Sequence, residues 1–292
     1  MHPLAASTIS STRSFLPYLT TPVHPWIPFG LIDVFGFYRL PGVINWIASG
    51  VFDPNHPKGQ RSTLLQELFG LCVVLFGGET FLCMCTGQTP SWMLDPKLAL
   101  FFCTSHTLLT RTPLRKVLPS RPKLAVELPL AIPDAIGRVF LLTRFSLIPL
   151  LHPSATTLSL PATPTTLILV PVILAVPSAS IIFTATNWFS PKPHLSTPLE
   201  LRPGGWAYVD TWAPLAVPLL FLSLVAPVKG WPWGFGTRLD EQSAEAVCVL
   251  FLSAVFAARA IYNFGYSRDQ WVEAFTFGFG SKRKGGKKFK TA

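Results

Sequence analysis

Charged residues are scarce in this chain. Only 13% of its 292 residues are Asp, Glu, Lys or Arg, whereas 49% are hydrophobic. Soluble globular domains usually carry about 25% charged residues. Apolar stretches of bilayer-spanning length, roughly 17 to 25 residues each, recur along the sequence. The composition therefore argues against an ordinary soluble domain and predicts an all-α protein that crosses a membrane several times.

The common sequence motifs of catalytic and cofactor sites are also missing. The chain contains no Gly-x-Gly-x-x-Gly, no P-loop, no Gly-x-Ser-x-Gly and no His-x-x-x-His. Its five cysteines all lie in apolar stretches, where a thiol behaves as a small hydrophobic group. We therefore expect no enzyme, no soluble cofactor, no metal site and no disulfide framework. The N-terminus also lacks the basic and apolar regions of a cleaved signal peptide.

Helix-breaking residues and charged residues divide the chain into candidate membrane spans. The seven spans are residues 27–48, 63–87, 95–110, 126–151, 164–189, 207–228 and 243–265. They predict a seven-helix transmembrane domain over 27–265. An N-terminal segment, 1–26, precedes this domain, and a basic tail, 266–292, follows it.

The distribution of Lys and Arg gives the predicted spans an orientation. These residues concentrate in cytosolic loops of membrane proteins. With the N-terminus outside the cytosol, 16 of the 24 Lys and Arg residues fall on the cytosolic side and four on the opposite side, with four inside the spans. The pattern predicts a luminal N-terminus and a cytosolic C-terminus.

The lysine-rich tail, SKRKGGKKFKTA, has two interpretations. As a solvated anchor it would attract anionic lipid, and so close to a membrane span we favour lipid over nucleic acid as its partner. In addition, Lys288 and Lys290 have the spacing of a dilysine retrieval signal at the C-terminus. That signal would predict retention in the endoplasmic reticulum.

Ionisable residues inside the predicted spans are functional candidates, because charge is costly in a bilayer. They include Asp33, Asp210, Arg259 and the two fourth-span arginines, Arg138 and Arg144. Asp134 lies four residues before Arg138, a spacing that allows a pair along one helix face. Pairing of this kind and a role in anionic-lipid binding or gating remain alternatives for the arginines.

The second span contains the unusual stretch LFGGETFLCMCTGQTPSW. Gly77 and Gly78 would allow either close helix approach or a bend that frees backbone carbonyls. Glu79, next to them, would then line a cation path together with those carbonyls. The sequence leaves packing and pore lining as equal alternatives.

The same stretch resembles the second helix of the TRIC (trimeric intracellular cation) channels, in which Phe-Gly-Gly precedes an apolar run and a closing Gly-x-x-Pro. IPFGLIDVFGFYRLPG, with Asp33, is similar to the first helix of that family. WMLDPKLALFFCTSHTLLTRTPL fits its third helix, and SAEAVCVLFLSAVFAARAIYNFG fits its seventh. The resemblance covers most of the chain.

The resemblance implies a specific architecture and activity. Two inverted three-helix repeats and a seventh helix would form each protomer of a homotrimer in an intracellular membrane. Each protomer would contain its own pore, lined by second and fifth helices that bend at glycines. Potassium passing through these pores would balance charge during calcium movement. Basic residues of the fourth helix would hold a phosphoinositide; the matching residues are Arg138 and Arg144.

The sequence departs from the family pattern at two places. The fourth span lacks the family's Lys-Glu-Val motif, and the fifth has no second glycine pair. Ser178, Ser180 and Thr184 lie in the equivalent fifth-span stretch and are the candidates for the opposing wall of the pore.

Three other functions remain open beside a potassium channel. A non-conducting membrane scaffold or assembly factor would pair Glu79 with a basic residue such as Arg259 or Arg144 in a dry core. An integral-membrane enzyme acting on lipid and a proton-coupled carrier with Glu79 as its proton site are the remaining alternatives.

Overall fold

The computed structural model describes residues 3–24, 27–52, 56–57, 60–152, 160–176, 181–198, 201, 209–225 and 239–265. This part of the chain is mostly helical. Its ten α-helices are α1 Pro3–Thr20, α2 Leu31–Ala48, α3 Leu64–Thr86, α4 Ser91–Leu94, α5 Lys97–Arg111, α6 Leu124–Thr143, α7 Leu147–Leu151, α8 Pro164–Ala175, α9 Val209–Leu224 and α10 Glu241–Phe264.

Short elements connect these helices. Strands β1, Pro22–His24, and β2, Ile27–Gly30, form an antiparallel pair between α1 and α2. A 3₁₀ turn over Pro113–Val117 follows α5. A single π-helical turn over Ile181–Ala185 comes after α8.

Two of the described helices are long and apolar enough to cross a membrane. They are α3, with 23 residues, and α10, with 24, which correspond to the second and seventh predicted spans. Helices α8 and α9 are apolar but shorter. The structure is therefore consistent with a membrane protein. The count of seven crossings stays a prediction.

The ends of α3 follow from local sequence signals. The Thr63 side chain accepts a hydrogen bond from the Gln66 amide at 3.3 Å, which satisfies one of the free N–H groups of the first turn. At the other end, Gly87 has φ of 68°, the left-handed conformation that commonly terminates helices.

Two of the predicted helices are interrupted, and the prediction of one continuous helix was wrong for each. The helix predicted over 164–189 ends at Ala175, two residues before Pro177, which has no N–H to continue it. The helix predicted over 126–151 divides into α6 and α7. There, the ring of Pro149 would clash with the carbonyl four residues earlier in a continuous helix.

The predicted N-terminal segment contains a helix that sequence analysis did not identify. Helix α1 buries Leu16 and Leu19 against the larger apolar core. That core is centred on the contact between α6 and α10, where Val139 and Leu252 are fully buried. A second cluster, around Leu71, joins α2, α3 and α5.

Polar contacts show how the helix ends are arranged. Arg13 of α1 reaches Asp240, immediately before α10, at 3.2 Å. Arg144, immediately after α6, reaches Glu245 in the second turn of α10 at 2.6 Å. The end of α6 therefore lies beside the start of α10, so these two helices run antiparallel.

The opposite end of α6 lies beside the ends of other helices. Glu127, in its first turn, binds Arg39 of α2 at 3.0 Å. The Trp46 indole near the end of α2 donates to the Pro119 carbonyl at 2.6 Å. This end therefore brings together α2, α6 and the segment that follows α5.

Candidate functional site

Two glycines of α3 allow other parts of the chain to approach closely. A Cβ added to Gly78 would lie 2.1 Å from the Leu174 carbonyl oxygen of α8. A Cβ added to Gly70 would lie 2.6 Å from Trp188 and 2.7 Å from Phe189. Helix α3 continues through the glycine pair without interruption. At Gly78 the structure therefore has close packing, the first of the two alternatives for the pair.

The start of α3 also binds the segment after the π turn. The Gln66 side-chain amide donates to the carbonyls of Trp188 and Ser190, the latter at 2.8 Å. The Trp188 indole donates back to the Gln66 carbonyl at 2.7 Å. These reciprocal bonds hold Trp188 and Ser190 against the start of α3.

Glu79 lies in the C-terminal half of α3, seven residues before its end, and binds backbone. Its carboxylate accepts from the Ser91 amide, the first of α4, at 2.6 Å. One residue on, the Trp92 indole donates to the Thr80 hydroxyl at 2.9 Å. Glu79 thus fastens the turn that follows α3. Neither basic partner suggested for Glu79, Arg144 or Arg259, binds it, because each binds another acid.

The proposed opposing wall is only partly covered by the structure. Ser178 and Ser180 lie outside the described residues, as do Lys288 and Lys290 of the tail. Thr184 lies in the π turn, where its carbonyl accepts a hydrogen bond from the Ser196 hydroxyl. Pore lining by this group therefore stays a prediction.

Asp210 joins three helices. It lies 2.7 Å from Arg138 of α6 and 3.3 Å from Arg259 of α10. Both guanidinium groups also lie near the ring of Phe256, at 5.4 and 4.6 Å from its centroid. One carboxylate of α9 therefore lies between two cations, so three of the predicted intramembrane charges form a single group.

The possible pair between Asp134 and Arg138 along α6, one of the open alternatives, does not form. Asp134 instead accepts from Arg39 of α2, at 3.1 Å, and Arg39 also binds Glu127 with two hydrogen bonds of 3.0 Å. Glu127 was not identified from the sequence. Its spacing of seven residues from Asp134, two helical turns, was the available signal, because it places both acids on one face of α6.

Arg144, the second predicted lipid ligand, binds Glu245. Its guanidinium lies 2.6 to 3.1 Å from both carboxylate oxygens, and the Thr143 hydroxyl donates to the same carboxylate at 2.9 Å. The guanidinium also stacks on Phe140, 3.8 Å from the ring centroid. Arg138 and Arg144 therefore both have carboxylate partners, which compete with any lipid phosphate.

Asp33, in the first turn of α2, accepts from the Gly30 amide at 3.0 Å. Carboxylates are favourable at this position because the first N–H groups of a helix have no partner within the helix. Asp33 therefore stabilises the junction between β2 and α2.

The most buried charge cluster was missed by sequence analysis. Glu67, with no exposed surface on its side chain, binds Arg61 at 2.8 and 3.0 Å, Arg111 at 2.9 Å and His106 at 2.7 Å. The Ser62 hydroxyl also donates to it at 2.8 Å. Because Glu67 lies in the first turn of a span, it was not distinguished from an ordinary acidic residue near a helix start.

The interactions within these clusters are electrostatic. Among the described residues, no group of three or more His, Cys, Asp or Glu side chains could hold a metal ion. Each cluster instead joins two or more helices through arginine and carboxylate groups. Comparison with known proteins adds no family: no family model, no curated protein and no solved structure matches this chain.

Proposed function

We propose that this chain is a multi-spanning protein of an intracellular membrane that conducts potassium along the contact between α3 and the predicted fifth span, 164–189. The observation that carries the proposal is the early end of α8 at Ala175, one residue after the Leu174 carbonyl that Gly78 approaches. Interrupted helices at membrane depth are typical where backbone lines an ion path or is buried in protein. Carbonyls freed at such a break can replace water around a cation.

Further support comes from the sequence. The resemblance to the TRIC channels rests on the same glycine pair, and the Lys and Arg distribution fits a luminal N-terminus with seven crossings. A homotrimer, counter-ion flux and residence in the endoplasmic reticulum, with Lys288 and Lys290 as the retrieval signal, belong to this proposal.

The test is potassium flux through the purified full chain in proteoliposomes. We expect flux in the wild type, and lower flux in Gly77→Leu and Glu79→Ala, since both changes lie beside the proposed path. Gly137→Ala is the matched control, because a Cβ there would meet only Ile32, at 3.9 Å or more. No flux at any voltage, or with added calcium or phosphoinositide, would contradict conduction.

A second function, a non-conducting scaffold, is favoured by a different observation. The four arginines inside the predicted spans each bind at least one carboxylate: Arg39, Arg138, Arg144 and Arg259. Charges that neutralise one another hold helices together without offering a site to a permeant ion. Absence of potassium flux through correctly folded protein would favour this scaffold function over conduction.

A further inference from the structure

A wide basin lies between the end of α2 and the start of α6. Its volume is about 820 Å³, within the usual range for ligand sites. Four basic residues line it, and we call it the basic basin: Arg115, Lys116, Arg121 and Lys123. None of the described residues that line it is Asp or Glu. The basin therefore concentrates positive charge in a concave surface.

The four cations differ from most others in the described part of the chain. Eight described Lys or Arg residues form ion pairs: Arg13, Arg39, Arg61, Lys97, Arg111, Arg138, Arg144 and Arg259. Within the same ranges, the basin residues and Lys192 have no ion-pair partner. Four of these five cations therefore surround one cavity.

Two of the described carboxylates near the basin, Glu127 and Glu67, are already held by arginines. Glu127 follows the basin residue Val126 but binds Arg39 with both oxygens. Glu67 binds Arg61 and also Arg111, which directly precedes the basin residue Thr112. The positive potential of the basin is thus left for a ligand or for solvent ions.

The backbone of the basin is fixed by contacts with the helices. The Thr112 hydroxyl donates to the Leu108 carbonyl at 2.6 Å and accepts from the Leu114 amide at 3.2 Å. Leu118 is buried, and the Trp46 indole binds the next carbonyl, that of Pro119. The segment that carries the cations is therefore held in place before a ligand arrives, which reduces the entropy lost on binding.

We propose that the basic basin binds a ligand that carries two or more phosphate groups. Arginine forms paired charge-assisted hydrogen bonds with phosphate oxygens, and lysine supplies point charge. The start of α6, at Leu124, adds the positive end of a helix dipole beside Lys123. In the proposed orientation this surface faces the cytosol, where a lipid headgroup and a soluble polyphosphate offer the same chemistry. The inference does not depend on conduction.

Binding is measured by calorimetry on the full chain in an uncharged detergent. Inorganic tripolyphosphate and a short-chain phosphatidylinositol bisphosphate are used as separate probes. Arg121→Gln with Lys123→Gln should weaken binding about tenfold or more, because two charge-assisted contacts are lost. Lys192→Gln is the matched control, since it removes an unpaired lysine outside the basin, and should change affinity less than about twofold.

Arg115→Gln with Lys116→Gln provides a second, independent removal of two basin charges, and all four positions are exposed, so folding should persist. Binding of both probes supports the inference and shows that soluble phosphate is sufficient as a ligand. Binding of the lipid alone also supports the inference and identifies a lipid headgroup as the ligand. Binding of neither probe, or equal affinity in the control and in both double variants, would overturn it.

Discussion

Arg39 of α2 faces Glu127 of α6 in a bidentate arrangement, with two hydrogen bonds of 3.0 Å. Asp134, two turns further along α6, accepts from the same guanidinium at 3.1 Å. One arginine therefore joins two carboxylates to a neighbouring helix. Removal of one partner from a buried pair costs about 3–5 kcal/mol, since it leaves uncompensated charge.

Arg39→Met should therefore destabilise the fold by about 3 kcal/mol or more, because two carboxylates lose their cation. Arg39→Lys should recover only part of the loss, since an ammonium cannot bind both oxygens of Glu127 in the same geometry. The measurement is denaturant unfolding in detergent. Lys97→Met is the control: its pair with Asp95 is 68% and 56% exposed and should contribute less than about 1 kcal/mol. Equal losses for Met at both positions would contradict this assignment.

The same substitution at two helical glycines should have opposite effects. Gly78→Ala places a methyl group 2.1 Å from the Leu174 oxygen, so α3 and α8 must separate, at a cost of about 1–3 kcal/mol. Gly137→Ala has room in α6 and should be neutral or stabilising by up to about 1 kcal/mol, since alanine favours helix. Thermal unfolding of both variants gives the comparison. A stable Gly78→Ala protein would show that α3 and α8 are further apart.

The two acids of α3 should differ sharply in their contribution to stability. Glu67→Gln leaves Arg61 and Arg111 beside a neutral amide in a buried site and should cost about 3 kcal/mol. Glu79→Gln keeps an oxygen that can accept from the Ser91 amide, so its cost should stay near 1 kcal/mol. Unfolding free energies of the two variants test this order. A larger loss for the residue-79 variant would contradict it.

Local signals in the sequence predicted helix ends well where caps are present. The second span was predicted over 63–87, and α3 runs from Leu64 to Thr86 between its two caps. The fifth span was predicted too long, since α8 ends at Ala175, two residues before Pro177. Helix α1 was missed although proline, common at helix starts, occupies its first position.

Partners between helices were much harder to predict than helix ends. The four-residue spacing of Asp134 and Arg138 indicates a possible pair along one helix. The acid that binds Arg138 is instead Asp210 on α9. The distance in sequence gives no information on that contact, because packing of α6, α9 and α10 decides it. Glu67 shows the same limit: its arginine and histidine partners come from segments on either side of it.

The charge at the start of α10 should make stability depend on pH. The hydrogen bond from Ser243, together with the nearby guanidinium of Arg13, holds the pKa of Asp240 below its ordinary value. A lowered pKa in the folded state means that ionised Asp240 stabilises the fold above the unfolded value, about 3.9. That stabilisation is lost as the pH falls through the lower, folded value.

Asp240→Asn tests this effect, because asparagine keeps one oxygen that can cap α10 and removes the charge. At pH 7 the wild type should be more stable by up to about 1 kcal/mol, as expected for a carboxylate at a helix N-terminus. Below the folded pKa the two proteins should unfold at the same temperature, since both then carry a neutral cap. Other carboxylates also take up protons in acid, but they are common to both proteins and cancel in the difference. A gap of constant size from pH 7 to pH 3 would mean that the Asp240 charge does not stabilise the start of α10.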